Sequence, residues 1–352
     1  MQTVHSRPIT PIIVSRRLGA RPQETLAEAR RHRPTGEEVL AGQALFRASV
    51  YELGNGAVLV CAVHHLITDG WSDGVIWRDL SELYRARVER CSPRLPEVAF
   101  AYARFAEGQH ARWPVLRTKV VDYWKDALAE YSGHAAWPMS SPPCSGPFEL
   151  GSVRMRVAAE VVSRVRVAAR ACRVSRFMVL LTASASAIAK VTGQRDLMIG
   201  SNTANREDPA KHEAVGYFTN TRLTRARFPK EMAFSERVAR VREQWLAGDD
   251  LRDAYVDQVL AVIGGPGLIK VDLLDPLTAF RGHRDGPHLP GITTHPVNAG
   301  GTPLHWRDLT VSWIPRDDAF EVELRYRTAS VDATTATAIG EETLRVLNRL
   351  EV

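Results

Sequence analysis

The chain has 352 residues, 45% of them hydrophobic and 24% charged, with 46 Lys and Arg against 40 Asp and Glu. That length supports two lobes rather than one, and the composition is that of an ordinary soluble globular protein. No apolar run approaches the roughly eighteen residues of a membrane span, and "MQTVHSRPIT" lacks the apolar core of a signal peptide, so a cytoplasmic setting without membrane association is expected.

The net charge of +6 is spread over scattered arginines, densest at "RRHRP" (Arg30–Pro34). No aromatic-and-basic platform accompanies it, so a solvated surface is expected and nucleic-acid binding is not. Cys61, Cys91, Cys144 and Cys172 form no CxxC pair, which disfavours a disulfide framework or a zinc ribbon.

In chain order, "TLAEARRHRP" reads as a short helix. Phe46–Glu52 and Ala57–Val63 are β-prone runs separated by "GNG", a hairpin signal because Asn and Gly accept positive φ. "CAVHHLITDGWSDG" (Cys61–Gly74) then reads as a strand, two histidines, a tight turn and a helix start, with Ser72 as cap and Asp73 in the first turn. Ile76, Leu80, Leu83 and Tyr84 follow on one helical face. "TKVVDYWKDALAEY" is a second amphipathic helix and "WPMSSPPCSGP" a loop. Val153–Val157 reads as a strand, Glu160–Ala171 and Ser175–Val191 as consecutive helices, and "DLMIGS" (Asp196–Ser201) as a buried strand. "EAVGYFTNTRLTRARF" holds a further strand, and "AFSERVARVREQWLAG" a helix capped by Ser235. Gly264–Gly301 reads as a long irregular connection. "LTVSWIP" and "AFEVELRYRT" alternate like an antiparallel pair, and "TATAIGEETLRVLNRL" closes the chain as a helix. Strands and helices mix throughout, so the class is α/β or α+β.

The histidine segment carries the chemistry. Successive residues of a strand face opposite sides, so His64 and His65 cannot both enter one cleft, and a metal site is not expected. A neutral imidazole can take or deliver a proton near neutral pH. Asp69 can hold the loop, and Gly70 admits a backbone geometry that a Cβ would block.

"HHLITDGWS" resembles the HHxxxDG motif of the condensation domains of nonribosomal peptide synthetases, within the chloramphenicol-acetyltransferase-like acyltransferases. "LFRASVYEL" before it and "LSELY" after it resemble the flanking strand and helix. "FAYARFAEGQ" resembles a downstream motif, with Arg104 in place of its usual acid. "VTGQRDLMIGSNTANRED" resembles the strand and Arg-containing loop of the second lobe, and "VGYFTNTRLTR" the next motif, with Gly216, Phe218, Asn220 and Thr221 matching. The resemblance runs from about residue 40 onward.

The resemblance implies two chloramphenicol-acetyltransferase-like lobes in a V, with the motif loop at their junction and a tunnel admitting carrier-bound thioesters. The lobes are expected at about 1–110 and 111–352, the first incomplete. It implies an acyltransferase that forms an amide between a thioester on a carrier protein's phosphopantetheine and an amine, with no cofactor bound by this chain. The alternatives are a free hydroxyl or amine acceptor, an acyl-coenzyme A donor, or a noncatalytic module of the same fold that recruits carriers or enzymes. His65 is the candidate catalytic group, as base or as positioning group, and the Gly70 N–H a candidate oxyanion donor. His64, Asp69 and Trp71 are expected to be structural, His64 packed and Trp71 beneath the loop. Asn220 and Thr221 either line the tunnel or are polar strand positions, and Arg206 either pairs with an acid in the cleft or holds its own loop. The opening motif and the "RHxxLR"-type segment are not visible, so Asp69 lacks the Arg that segment supplies unless another Arg substitutes. The "HQDxPFE" and "RDxSxNP" motifs are not recognisable either.

Overall fold

The computed structural model describes residues 12–17, 45–54, 56–131, 150–229, 232–263, 269–273, 286–295, 297, 308–316 and 319–350. The expected helix at residues 25–34 and the loop at 137–147 lie outside them.

The chain forms two compact units of mixed α/β structure, and they are not two consecutive stretches. The first comprises Met1–Tyr102, Arg206–Phe218 and Ala279–Thr302, and the second Ala103–Asn205, Thr219–Thr278 and Pro303–Val352. The first stretch of the first unit ends at Tyr102. Two later segments also belong with the first unit. A local sequence pattern marks elements, and does not mark which unit a connecting loop packs on.

In the first unit, β1 (Ile12–Arg17) lies parallel to β2 (Phe46–Leu53), which pairs antiparallel with β3 (Gly56–Val63) from Phe46↔Val63 to Leu53↔Gly56. The hairpin read from "GNG" is therefore present. Its alternation buries Tyr51 and Val58, with Leu53 and Val60 packed against them. Helix α1 (Gly70–Glu89) follows. Its N-cap is Asp69, whose side chain accepts from the Ser72 N–H, so the cap expected at Ser72 is corrected. Its buried positions are Ser72, Gly74, Val75 and Ala86. Leu83, expected on the apolar face, is 47% exposed. Arg90 in the left-handed region ends the helix.

In the second unit, a six-stranded sheet has the order β4-β9-β8-β7-β5-β6. Its strands are β4 (Leu150–Val157), β5 (Asp196–Thr203), β6 (Asn220–Arg227), β7 (Ile269–Leu273), β8 (Leu309–Arg316) and β9 (Ala319–Arg327). β7 is parallel to both β5 and β8, and the other pairs are antiparallel. It lies within the stretch read as wholly irregular.

The period of two in β5 divides the core. Leu197 and Ile199 join the large cluster with α3 (Ala159–Ala171), α4 (Arg176–Thr192) and α7 (Ala333–Asn348), while Met198 joins a smaller one. That smaller cluster holds Val120 and Trp124 of α2 (Tyr102–Ala127) and Val256 and Val259 of α6 (Val256–Ile263). α4 is buried continuously from Met178 to Ala189, capped by Ser175, and Trp313 Nε1 donates to Ser184 Oγ at 3.1 Å. Helix α5 (Phe234–Ala247) starts at Ala233, whose N–H donates to Glu236, so Ser235 is not its cap. Among the described residues no single helix is long and apolar enough to cross a membrane.

Candidate functional site

The site grows from the end of β3. Regular strand stops at Val63, and His64 and His65 already lie in the turn. Hydrogen bonding, rather than strand alternation, therefore separates their roles. The His64 N–H donates to Leu45 O at 2.8 Å and its ring Nδ1 accepts from the Leu66 N–H at 3.2 Å. A neutral His64 thus keeps its proton on Nε2, half-buried and spent on the turn. His65 is exposed, and its Nδ1 lies 2.6 Å from Thr68 O. A carbonyl only accepts, so Nδ1 carries the proton, and a neutral His65 has its lone pair on Nε2. The Tyr217 ring meets the imidazole edge-on, centroids 5.0 Å apart.

Below this loop lies a buried polar cluster. Asp69 Oδ1 accepts from the Ser72 N–H and Oγ, both at 2.8 Å, and from Arg206 Nη2 at 3.1 Å. Its Oδ2 accepts from the Phe218 N–H at 3.0 Å. Both charged side chains are wholly excluded from solvent. The Arg206 guanidinium also donates to the carbonyls of Lys211 and Ala214, at 2.5 and 2.7 Å, and lies 4.2 Å from the Phe218 ring centroid. Burial pulls its pKa down, and Asp69 acts against that. A buried pair with this many donors repays much of its desolvation. Arg206 thus does both things left open for it: it pairs with an acid and holds its own loop. Its charge is turned to these partners. Asp69 has an arginine after all, from the Arg206–Phe218 segment.

Ser72 ties the same segment down. Its Oγ lies 2.9 Å from Gly216 O, 3.0 Å from Gly216 N and 2.9 Å from Arg206 Nη2. Trp71 Nε1 donates to His212 O at 2.9 Å, and Arg78 forms an ion pair with Glu213. The roles of Ser72, Gly216 and Tyr217 escaped the sequence reading. The only signal for Gly216 was its place in "VGYFTN", which carries no contact.

Gly70 is the first residue of α1 and is exposed. Its φ is not positive, and a Cβ built there meets nothing within 4 Å. The expectation that a Cβ would block its backbone geometry is therefore corrected: the space at its Cβ position is open, and as the first helical residue its N–H has no intrahelical acceptor.

Asn220 and Thr221 belong to the second unit. Asn220 Nδ2 donates to the carbonyls of Arg252 and Ala254, at 3.0 and 2.7 Å, and its Oδ1 accepts from the N–H groups of Thr221 and Val256. Thr221 Oγ1 donates to Asn202 Oδ1 at 3.0 Å, across the β5–β6 pair. Both line a cavity of about 30 Å³, room for a water or two. Among the described residues no group of three His, Cys, Asp or Glu side chains is placed to hold a metal.

A two-lobed mixed α/β chain with this histidine turn belongs to a known fold. Its structure resembles the X-domain from teicoplanin biosynthesis, with a TM-score of 0.81 at 21% identity over 99% of this chain and 80% of that one. It also resembles the first condensation domain of the CDA synthetase, with a TM-score of 0.71 at 18% identity over 97% and 76%. The family model for the condensation domain matches residues 10–257, and the chain belongs to that family. It is 30% identical over 331 residues to a dimodular nonribosomal peptide synthase of Bacillus subtilis, covering 89% of this chain and 14% of that protein. The chain spans between 4% and 27% of the length of the first curated relatives it matches.

Proposed function

We propose that the chain catalyses amide formation between an acyl or aminoacyl thioester and an amine acceptor, the substrates delivered on the phosphopantetheine of carrier proteins. The observation that carries this reading is the His65 tautomer. With Nδ1–H held by Thr68 O, Nε2 is the free basic atom, on an exposed ring steadied by Tyr217. An imidazole so held can take a proton from the attacking amine and return it to the leaving thiolate. The Gly70 N–H, at the positive end of α1, would face the oxyanion that forms as nitrogen adds to the carbonyl. The Asp69–Arg206 pair and Ser72 fix the turn that presents both groups. Condensation-family membership supports the same chemistry.

A basic chain of net charge +6 suits acidic carrier proteins as partners. A cytoplasmic setting accords with the free thiols of Cys61, Cys91 and Cys172. The second reading is a recruiting module without chemistry. It is favoured by the fold shared with the teicoplanin X-domain, which forms a complex with OxyB.

The test is intact-mass detection of amide product from donor-loaded carrier and an amine. His65→Ala should lower product formation by at least about a hundredfold. Full activity in His65→Ala would remove the imidazole from the mechanism. Tight carrier binding with no product from any donor would favour the recruiting module.

A further inference from the structure

The loop that presents His65 presents a second group beside it. Asp73 lies in the first turn of α1 and is exposed. The helix does not need it as a cap, because Asp69 takes the Ser72 N–H. Thr68 links it to the histidine: the Thr68 carbonyl holds His65 Nδ1 at 2.6 Å, and the Thr68 hydroxyl lies 3.3 Å from Asp73 Oδ1. That long hydrogen bond is the only one Asp73's carboxylate makes among the described residues, and no Lys or Arg side chain pairs with it there. Its Oδ2 is free to accept. Asp69, four residues earlier, has both oxygens consumed by the buried cluster.

Asp73 is accessible and still flanked by protein. Lost hydration pushes its carboxyl pKa up, the nearby Asp69 charge adds to this, and the Thr68 hydroxyl and the His65 charge oppose it. Thr68 thus touches both side chains, His65 through its carbonyl and Asp73 through its hydroxyl, and both residues are exposed. A carboxylate without a Lys or Arg partner among the described residues, one residue's contacts away from a basic imidazole, is complementary to an ammonium group.

We infer that Asp73 binds the ammonium form of the acceptor beside His65 Nε2, and so selects cationic primary amines. This inference rests on the amide-forming reading above. The ammonium donates to Asp73 Oδ2 and gives one proton to His65 Nε2. The freed amine nitrogen attacks the thioester carbonyl carbon, and the carbon–sulfur bond breaks. The imidazolium returns its proton to the thiolate, and the second amine proton leaves to solvent. An ammonium and a thioester thus become an amide, a thiol and a proton. Asp73 keeps its charge throughout.

Two measurements on the full chain test this. In the first, glycinamide hydrochloride and neutral acetamide are titrated while the His65 ring and the Asp73 carboxyl are followed by NMR. Glycinamide should perturb both groups in the native protein and in Asp73→Glu, and neither His65 nor residue 73 in Asp73→Asn; acetamide should perturb neither. In the second, donor-loaded carrier is offered glycinamide or methoxyamine, an amine that stays neutral at neutral pH. Asp73→Asn should lower the preference for glycinamide over methoxyamine about fivefold, through KM, with Asp73→Glu restoring part of it. Glycinamide bound equally by Asp73→Asn, or an unchanged preference, overturns the inference and leaves amide formation standing. Glycinamide bound at Asp73 with no amide formed from any acceptor sinks the amide-forming reading and keeps the binding site.

Discussion

Arg206 Nη2 lies 3.1 Å from Asp69 Oδ1 with both side chains wholly buried, 137 residues apart in sequence. The pair links the motif turn to the Arg206–Phe218 segment. Removing one partner leaves a buried charge without its counterion. Arg206→Met should therefore destabilise the chain by about 3–5 kcal/mol. Asp69→Asn should cost less than that, because an amide oxygen still accepts from the Ser72 N–H. The double variant should be more stable than the sum of the two losses implies, a coupling of at least about 1 kcal/mol by urea denaturation. Additive losses would mean that the two charges act separately.

A second constraint holds the same segment. A Cβ on Gly216 would overlap the Tyr102 ring and come within 2.9 Å of Phe218. Tyr102 also stands edge-on to Phe218, centroids 5.2 Å apart. Gly216→Ala should cost about 1–3 kcal/mol by overpacking, and Tyr102→Ala in the same chain should recover part of it. If Gly216→Ala alone keeps the native melting temperature, the segment is free to shift.

The elements that follow a strict period were legible. Asp196–Ser201 read as buried and is buried from Leu197 onward, and the hairpin and the two consecutive helices stand where their residues put them. Competition between equivalent signals produced the errors. Asp69 and Ser72 are both good caps, and the local pattern does not decide which lies outside the helix. Residues 269–273 form a strand between β5 and β8; their alternation, Ile269, Val271 and Leu273 against Lys270 and Asp272, was a local signal, but only five residues long among many Gly and Pro. At the site, the motif gave His65 and Asp69 as residues, while the partner of Asp69 depends on a loop that leaves the second unit after β5 and returns at β6. Gly70 reads as a strained position, whereas its φ is not positive and a Cβ there meets only open space.

Thiol chemistry should follow burial. Cys91 is exposed, whereas burial pushes the Cys61 thiol up to about 11. The thiolate is the reactive form, and at about pH 8 it is roughly one part in a thousand of a thiol with that pKa. Iodoacetamide at that pH, followed by peptide mass spectrometry, should label Cys91 well before Cys61. Cys61 labelling should rise tenfold per pH unit until pH approaches about 11. Equal early labelling of both would show that the β3 end opens readily.

The Gly70 N–H can be removed without removing the helix. Gly70 is the first helical residue, where proline is tolerated because that N–H has no intrahelical partner. The preceding Asp69 is extended, at φ −137 and ψ 177, which suits a residue before proline. Gly70→Pro should therefore fold with a melting temperature close to native. If the N–H holds the oxyanion, kcat should fall about a hundredfold or more. Gly70→Ala keeps the N–H and adds only a methyl group in open space. It should keep or slightly raise stability and lose far less kcat than Gly70→Pro, with its penalty in KM where the methyl meets substrate. Equal kcat in the proline and alanine variants, both folded by circular dichroism, would exclude the Gly70 N–H as an oxyanion donor and leave His65 as the group that acts on the reacting atoms.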